Sequence, residues 1–206
     1  MNPWEETDYD KLEADPQNYY TGLRRVLHSI PEKILFVETG SYVGNGIQSA
    51  ISVGYQHIFS LEVTDQYYNL CTSRFASYPS VRILKGDSSS LLPELLPELL
   101  PRVDSATLFL DAHMPGVYDS SLLGIQECPI LDELSAISDM FFDENIRPGF
   151  KLNILIDDLC DFQPDKQHRI ALRDLLSQVN RLFRSPSFTL WDTHIDSNLC
   201  MISLIR

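Results

Sequence analysis

The chain has 206 residues, enough for one domain with a substantial core, and its 44% hydrophobic and 22% charged residues are ordinary for a globular protein. No apolar run reaches the length of a membrane span, so we expect no membrane partner. The formal net charge of −13, without a stripe of Lys and Arg, disfavours a nucleic-acid partner and favours a small or neutral one.

The first 30 residues are predicted to form a lid and helix region. Thr21 can cap a helix that carries Leu23, Val26, Leu27 and Ile30 on one apolar side. The N-terminal segment is acidic and lacks the basic and apolar parts of a signal peptide, and the four cysteines are widely spaced. These features predict a reduced, cytoplasmic protein.

From there on, predicted strands and helices alternate along the chain. The predicted strands are 34–37, 57–63, 81–84, 106–110 and 151–156, with a closing antiparallel hairpin of 188–191 and 199–205. The predicted helices are 47–53, 65–77, 90–100, one opened by Pro129, and 167–183. This alternation predicts a single α/β domain over residues 1–206, with helices on both faces of a seven-stranded, mostly parallel sheet and a C-terminal antiparallel hairpin.

Two segments between these elements are predicted to be irregular. Residues 92–101 repeat the pattern LPELLPELLP, and proline at this spacing is expected to break the helix into short turns. Residues 114–127 are rich in Pro, Gly, Asp and Ser and are expected to form a loop.

The first strand leads into a glycine-rich segment, ETGSYVGNG, at residues 38–46. Glycines allow a sharp turn and the close approach of a ligand, and a loop that opens a helix offers N–H groups to an anion. A tight strand-to-helix turn without a ligand is the alternative. The spacing G-x-x-x-G-x-G differs from the G-x-G-x-x-G of dinucleotide sites, which disfavours an NAD-dependent oxidoreductase.

This segment resembles motif I (E-x-G-x-x-x-G-x-G) of the class I methyltransferases that depend on S-adenosylmethionine (SAM). The resemblance implies a Rossmann-like sheet, and three later strand ends follow the order of the family: Glu62 for the ribose hydroxyls, Asp87-Ser88 for the adenine, and Asp111 beside the transferred methyl group. The alternative is that each strand-end acid caps a helix. The predicted SAM-binding residues are Glu38, Thr39, Gly40, Ser41, Gly44, Asn45, Gly46, Glu62, Asp87, Ser88 and Asp111.

Three aspartates follow the fourth and fifth predicted strands: Asp111, Asp157 and Asp158. Neighbouring parallel strands are expected to bring them together, and three carboxylates suit Mg²⁺ or another divalent cation. The alternative is that Asp157 or Asp158 caps the next helix. The pattern is similar to that of metal-dependent sugar O-methyltransferases of the macrocin O-methyltransferase type.

That similarity implies catalytic roles for Asp111 and for the residue two positions later, which is usually an acid in the family and is His113 here. A histidine is competent as a general base; a second role, as a hydrogen-bonding neighbour, stays open. The resemblance implies methyl transfer to a hydroxyl of a sugar or glycan. The alternatives are a catechol-like acceptor and a SAM-binding module without turnover.

Overall fold

The computed structural model describes residues 21–112, 128–159, 162–163, 170–183, 187–192 and 198–206. Its strands are β1 (Leu35–Thr39), β2 (His57–Glu62), β3 (Val81–Lys85), β4 (Ser105–Leu110), β5 (Lys151–Ile156), β6 (Ser187–Asp192) and β7 (Asn198–Ile205). They form one sheet in the order β3-β2-β1-β4-β5-β7-β6. Strands β1 to β5 are parallel, and β7 is antiparallel to both β5 and β6. The predicted α/β fold with a mostly parallel sheet and a C-terminal antiparallel pair is confirmed.

Helices cover both faces of this sheet. They are α1 (Thr21–Ser29), α2 (Asn45–Val53), α3 (Asp65–Arg74), α4 (Ser88–Leu99), α5 (Ile130–Phe141) and α6 (Leu172–Phe183). Successive strand residues point to opposite faces, so Leu35 and Val37 pack in one core with α4, α5 and α6. Phe36 packs in a second core with α1, α2 and Cys71 of α3. Because most strands are buried on both faces, they appear in the sequence as short apolar runs.

The expectation that residues 92–101 form short turns is wrong. Helix α4 runs without a break through Pro93 and Pro97 and ends in a 3-10 turn, Leu100–Arg102. Both prolines are exposed, whereas Leu92 and Leu96 are buried, so the four-residue repeat places the prolines on the solvent side. Carbonyl groups that lose an N–H partner on that side can be hydrated, and the buried leucines hold the helix against the sheet.

The two largest differences from the predicted helix bounds are at α6 and α3, while α2 and α4 each begin two residues earlier than predicted. Helix α6 begins at Leu172 instead of residue 167, since residues 170–171 are not helical; residues 164–169 lie outside the described part of the chain. Helix α3 ends at Arg74 instead of residue 77, with Phe75 at its C-cap. The predicted loop 114–127 and residues 1–20 of the predicted lid region also lie outside the described part of the chain. None of the helices that the structure describes is long and apolar enough to cross a membrane.

Backbone hydrogen bonds join the carboxyl ends of neighbouring strands just beyond the regular ladders. The Gly40 N–H donates to Leu61 O (2.9 Å), and the Asp111 N–H donates to Thr39 O (3.2 Å). The Gly86 N–H donates to Glu62 O (2.9 Å) in the same way. These bonds fix the start of each loop relative to its neighbour, so the residues that leave the sheet at this edge have defined positions.

Candidate functional site

The predicted site residues that the structure describes lie at one edge of the sheet, where the parallel strands end. Thr39 ends β1 and Glu62 ends β2, while Asp87 and Asp111 follow β3 and β4 by two residues and one residue. In an open parallel sheet this carboxyl edge is where ligands bind, because the loops that leave it surround a crevice. The four motifs, which are far apart in the sequence, thus lie at the ends of four neighbouring strands.

The glycine loop, residues 40–46, runs from the end of β1 into the first turn of α2 and contains two glycines with left-handed backbone, Gly40 (φ 83°) and Gly44 (φ 86°). A Cβ at Gly40 would lie 2.6 Å from Asp111 O, and a Cβ at Gly44 would overlap the Phe75 ring. A Cβ at Gly46 would overlap Glu38 Oε2. The close approach that requires each glycine is therefore made by the protein's own atoms, which supports the tight-turn interpretation for these positions.

Glu38 was predicted to bind the cofactor, and the structure places it beneath the loop, only 1% exposed. Its Oε1 accepts the Ser60 hydroxyl (2.6 Å), the Ile47 N–H at the start of α2 donates to its carboxylate, and Ser60 Oγ lies 2.5 Å from Ser41 Oγ. Burial, with the charge of Glu62 as a smaller cause, raises the pKa of Glu38 to about 8. Glu38 thus satisfies an N-terminal donor of α2 from inside the protein.

Glu62 lies beside the glycine loop and is 4% exposed. Its Oε2 accepts the Tyr42 N–H (3.0 Å), and its Oε1 accepts the N–H (2.7 Å) and the hydroxyl (2.9 Å) of Thr64. A carboxylate offers about four lone-pair positions, so three hydrogen bonds leave acceptor capacity for one hydroxyl of a ligand. Glu62 therefore fixes the loop and can still accept a hydrogen bond from one hydroxyl of a diol.

Asp87 and Thr39, which were also predicted to bind the cofactor, have structural partners. Asp87 Oδ1 accepts the Ser89 N–H (2.9 Å) and so caps α4, whose first residue is the buried Ser88. Thr39 Oγ1 accepts the Asp111 N–H (3.2 Å), which ties β1 to β4. Asn45 is the first residue of α2 and is buried. The capping interpretation therefore holds for Asp87, and Thr39 serves the joint between the two central strands.

The predicted three-carboxylate metal site is not formed by the described residues. They include Asp111, Asp157 and Asp158, yet they contain no group of three or more His, Cys, Asp or Glu placed to hold a metal ion. Asp157 Oδ1 accepts the Asp158 N–H (2.9 Å), and Asp158, the second residue after β5, has left-handed backbone (φ 51°). The proposed base, His113, lies outside the described residues.

Sequence reasoning missed the residues that hold the loop from the side of α3. The Cys71 thiol donates to Tyr42 O (3.2 Å), Arg74 Nη1 donates to Val43 O (2.6 Å), and the Tyr42 and Tyr67 rings are 4.6 Å apart between centroids. The one signal available was spacing, because residues 67, 71 and 74 fall on one face of a helix. Nothing in the sequence indicates what that face contacts.

The sequence matches no protein-family model and none of the curated proteins. Solved structures do resemble the fold. A geranyl diphosphate methyltransferase in complex with SAM has a TM-score of 0.56 at 11% identity, over 100% of this chain and 92% of that one. A Staphylococcus aureus protein assigned as a caffeoyl-CoA O-methyltransferase has a TM-score of 0.56 at 10% identity, over 96% and 93% of the two chains.

The same fold carries another activity. Spermidine synthase from Thermotoga maritima has a TM-score of 0.54 at 11% identity, over 86% of this chain, which spans only 55% of that one. At these identities the likeness establishes the fold, a Rossmann-like α/β sheet of the kind found in class I methyltransferases. Function has to be argued from the site itself.

Proposed function

We propose that this chain is a SAM-dependent methyltransferase that binds its cofactor at the carboxyl edge of β1, β2 and β3. The carrying observation is the 3.0 Å hydrogen bond between the Tyr42 N–H and Glu62 Oε2. It joins the glycine loop and the strand-end carboxylate, the two features by which the sequence resembles motif I and the ribose-binding acid of the family. Methyltransferases among the structures of similar fold add support.

The residues present fit such a cofactor. The buried Glu62 carboxylate retains capacity for a ribose hydroxyl, and Asp87-Ser88 follow the neighbouring strand β3, where the proposal places the adenine. The glycine loop is held in one conformation and faces the methionine part in this proposal. Glu38 contributes by supporting the loop from below, since its fully buried carboxylate is occupied by Ser60 and Ile47.

The acceptor that we propose is a hydroxyl group of a sugar or glycan. When bound, SAM supplies an electrophilic methyl group on a sulfonium. The hydroxyl then has to be aligned with that carbon and to lose its proton, for which Asp111 at the end of β4 and His113 are the proposed groups. The described residues do not group Asp111, Asp157 and Asp158 as a metal site, and assistance by a divalent metal stays a prediction from the sequence. A catechol-like compound is the alternative acceptor, because it offers the same vicinal hydroxyls.

The structural roles of two acids at this edge favour one further candidate, a SAM-binding module without turnover. Asp87 and Asp157 both use an oxygen to bind a backbone N–H of the following residues, which is a structural duty that needs no reaction. A module of this kind would bind SAM as tightly as the enzyme and transfer no methyl group to any acceptor.

The test combines binding and transfer. Purified protein is titrated with SAM by calorimetry and then incubated with methyl-labelled SAM and a panel of sugars and catechols. The proposal predicts a dissociation constant between about 1 µM and 1 mM and labelled product with a sugar. SAM binding with labelled product from a catechol would change the proposed acceptor from a sugar to a catechol. SAM binding without any labelled product would favour the module without turnover.

Glu62→Gln provides the residue-level control. The amide keeps the size of the side chain but replaces one acceptor oxygen by a donor, so we expect SAM binding to weaken by about tenfold or more. Glu94→Gln removes the same charge from an exposed position of α4 and is expected to leave binding unchanged. Equal SAM affinity of the two variants would show that Glu62 does not bind the cofactor.

A further inference from the structure

The glycine loop contains a residue other than glycine whose backbone is strained. Tyr42 has φ 46°, in the left-handed region, although it is not a glycine. Such a conformation is unfavourable by roughly 1–2 kcal/mol for a residue with a side chain, and it persists only where the surroundings impose it. The protein must therefore hold Tyr42 by specific contacts.

Three separate groups hold Tyr42, one for each of its parts. Its N–H donates to Glu62 Oε2 (3.0 Å), and its carbonyl accepts the thiol of Cys71 (3.2 Å). Its ring packs against the Tyr67 ring with 4.6 Å between centroids and 60° between the planes. Burial, reinforced by the charges of Glu38 and Glu62, raises the pKa of the Cys71 thiol to about 12, so the sulfur keeps the proton that it donates.

The next two loop residues are held from the same side. Arg74 Nη1 donates to Val43 O over 2.6 Å, and the Arg74 guanidinium lies 5.2 Å from the centroid of the Phe75 ring. That ring fills the space where Gly44 has no Cβ. A hydrogen bond from a cation is stronger than one between neutral groups, so Arg74 provides the strongest single contact to this part of the loop.

These contacts come from one stripe of α3. Residues 67, 71 and 74 are spaced i, i+4 and i+7, and Phe75 follows at the C-cap. Cys71 is the one buried residue of α3, so this helix adds little to the apolar core. Its inward face is instead occupied by the glycine loop. We call Tyr67, Cys71, Arg74 and Phe75 the loop brace.

The brace determines which backbone groups the loop presents. Tyr42 O and Val43 O point to Cys71 and Arg74, and a trans peptide directs the Val43 N–H away from Tyr42 O. Within the described residues the Val43 N–H has no hydrogen-bond partner. The loop is thus held with a backbone donor directed away from α3.

We propose that Arg74 is a positioning residue of the SAM site, and that the loop brace fixes the glycine loop in its binding conformation in the free protein. The inference rests on the proposed function for the identity of the ligand. Arg74 does not touch the ligand; it acts through Val43. Preorganisation of this kind increases affinity, because the bound state no longer has to order the loop.

The test compares Arg74→Met, which removes the donor, with Arg74→Lys, whose ammonium can still reach the carbonyl. Arg82→Met on the exposed edge strand β3 removes the same charge and serves as the control. The first readout is hydrogen exchange of the free proteins at the Tyr42 N–H and at the Gly44 N–H, which donates to Ser41 O. We expect exchange at both to be about three- to tenfold faster in Arg74→Met and nearly normal in Arg74→Lys.

The second readout is SAM affinity, which we expect to fall about three- to tenfold in Arg74→Met and to recover in Arg74→Lys. Unchanged exchange in the loop, or an equal loss of affinity in Arg82→Met, overturns the inference. If Arg74→Met does not fold, Cys71→Ala removes a second brace contact and is judged by the same two readouts. If the wild type binds no SAM, the proposed function fails, while the exchange measurement still decides whether the brace exists.

Discussion

Replacement of Gly40 by alanine tests how closely the glycine loop is joined to the central strands. Gly40 has φ 83°, and a Cβ there would lie 2.6 Å from Asp111 O, 3.1 Å from Asp111 C and 3.2 Å from the Cα of Ala112. These atoms belong to the backbone at the end of β4, which is held to β1 by the bond from the Asp111 N–H to Thr39 O. They cannot rotate away as the end of a side chain could, so the strand ends have to separate.

Two terms make up the expected loss of stability. The left-handed conformation of alanine is unfavourable by roughly 1–2 kcal/mol, and the steric overlap adds about 1–3 kcal/mol. Gly54→Ala is the matched control, because Gly54 also has a positive φ (92°) and a Cβ there would meet nothing within 4 Å. Gly54→Ala is expected to show the first term alone, and Gly40→Ala the sum of about 2–5 kcal/mol.

Urea unfolding of both variants measures the difference, with equal m-values required for the comparison. SAM affinity is measured on the same samples, and Gly40→Ala is expected to lose it because the loop and Asp111 move apart. Equal loss of stability in the two variants would show that the overlap with Asp111 O is relieved without strain, and the close joint between β1 and β4 would then be wrong.

Three further changes test separate parts of the structure. Glu38 has a pKa of about 8 in the folded protein and near 4.5 in the unfolded chain, so the free energy of unfolding falls as pH rises between these values, by up to about 1.4 kcal/mol per pH unit. Glu38→Gln should remove this slope in unfolding experiments from pH 5 to 8, and an unchanged slope would contradict the raised pKa. Pro93→Ala restores a helix N–H on the exposed side of α4 and should raise the free energy of unfolding by about 1–3 kcal/mol. Thermal unfolding measures the change, and a loss of stability would show that the helix requires the proline. Tyr55→Phe removes the buried bond from the Tyr55 hydroxyl to Thr107 Oγ1 (2.8 Å) and should lower stability by about 1–2 kcal/mol, whereas a neutral result in urea unfolding means that the bond contributes nothing net.

The fold was predictable because its signals are local. Apolar runs separated by turns and amphipathic helices gave all the strands of the sheet and their alternation with helices, and the parallel connection then placed Glu62, Asp87 and Asp111 at one edge. The helix through Pro93 was not predictable from a local rule. There, burial of Leu92 and Leu96 against the sheet outweighs the preference of proline for turns.

The roles of site residues were less predictable, since they depend on contacts between distant positions. Glu38 resembled a ligand-binding acid, but Ser60, 22 residues away, and the start of α2 engage its carboxylate. Asp157 resembled a metal ligand, and the structure shows its Oδ1 bound to the N–H of Asp158. The contact of Arg74 with Val43 joins residues 31 positions apart, and no motif announces it.

The most direct test of the central claim is calorimetric titration of the wild-type protein with SAM and, separately, with NAD. We expect saturable binding of SAM and no heat of binding for NAD, because the glycine loop has the spacing G-x-x-x-G-x-G and Glu62 lies beside it. Failure of SAM to bind at roughly millimolar concentration, the upper end of ordinary enzyme affinities, would contradict the assignment of this edge of the sheet as a SAM site.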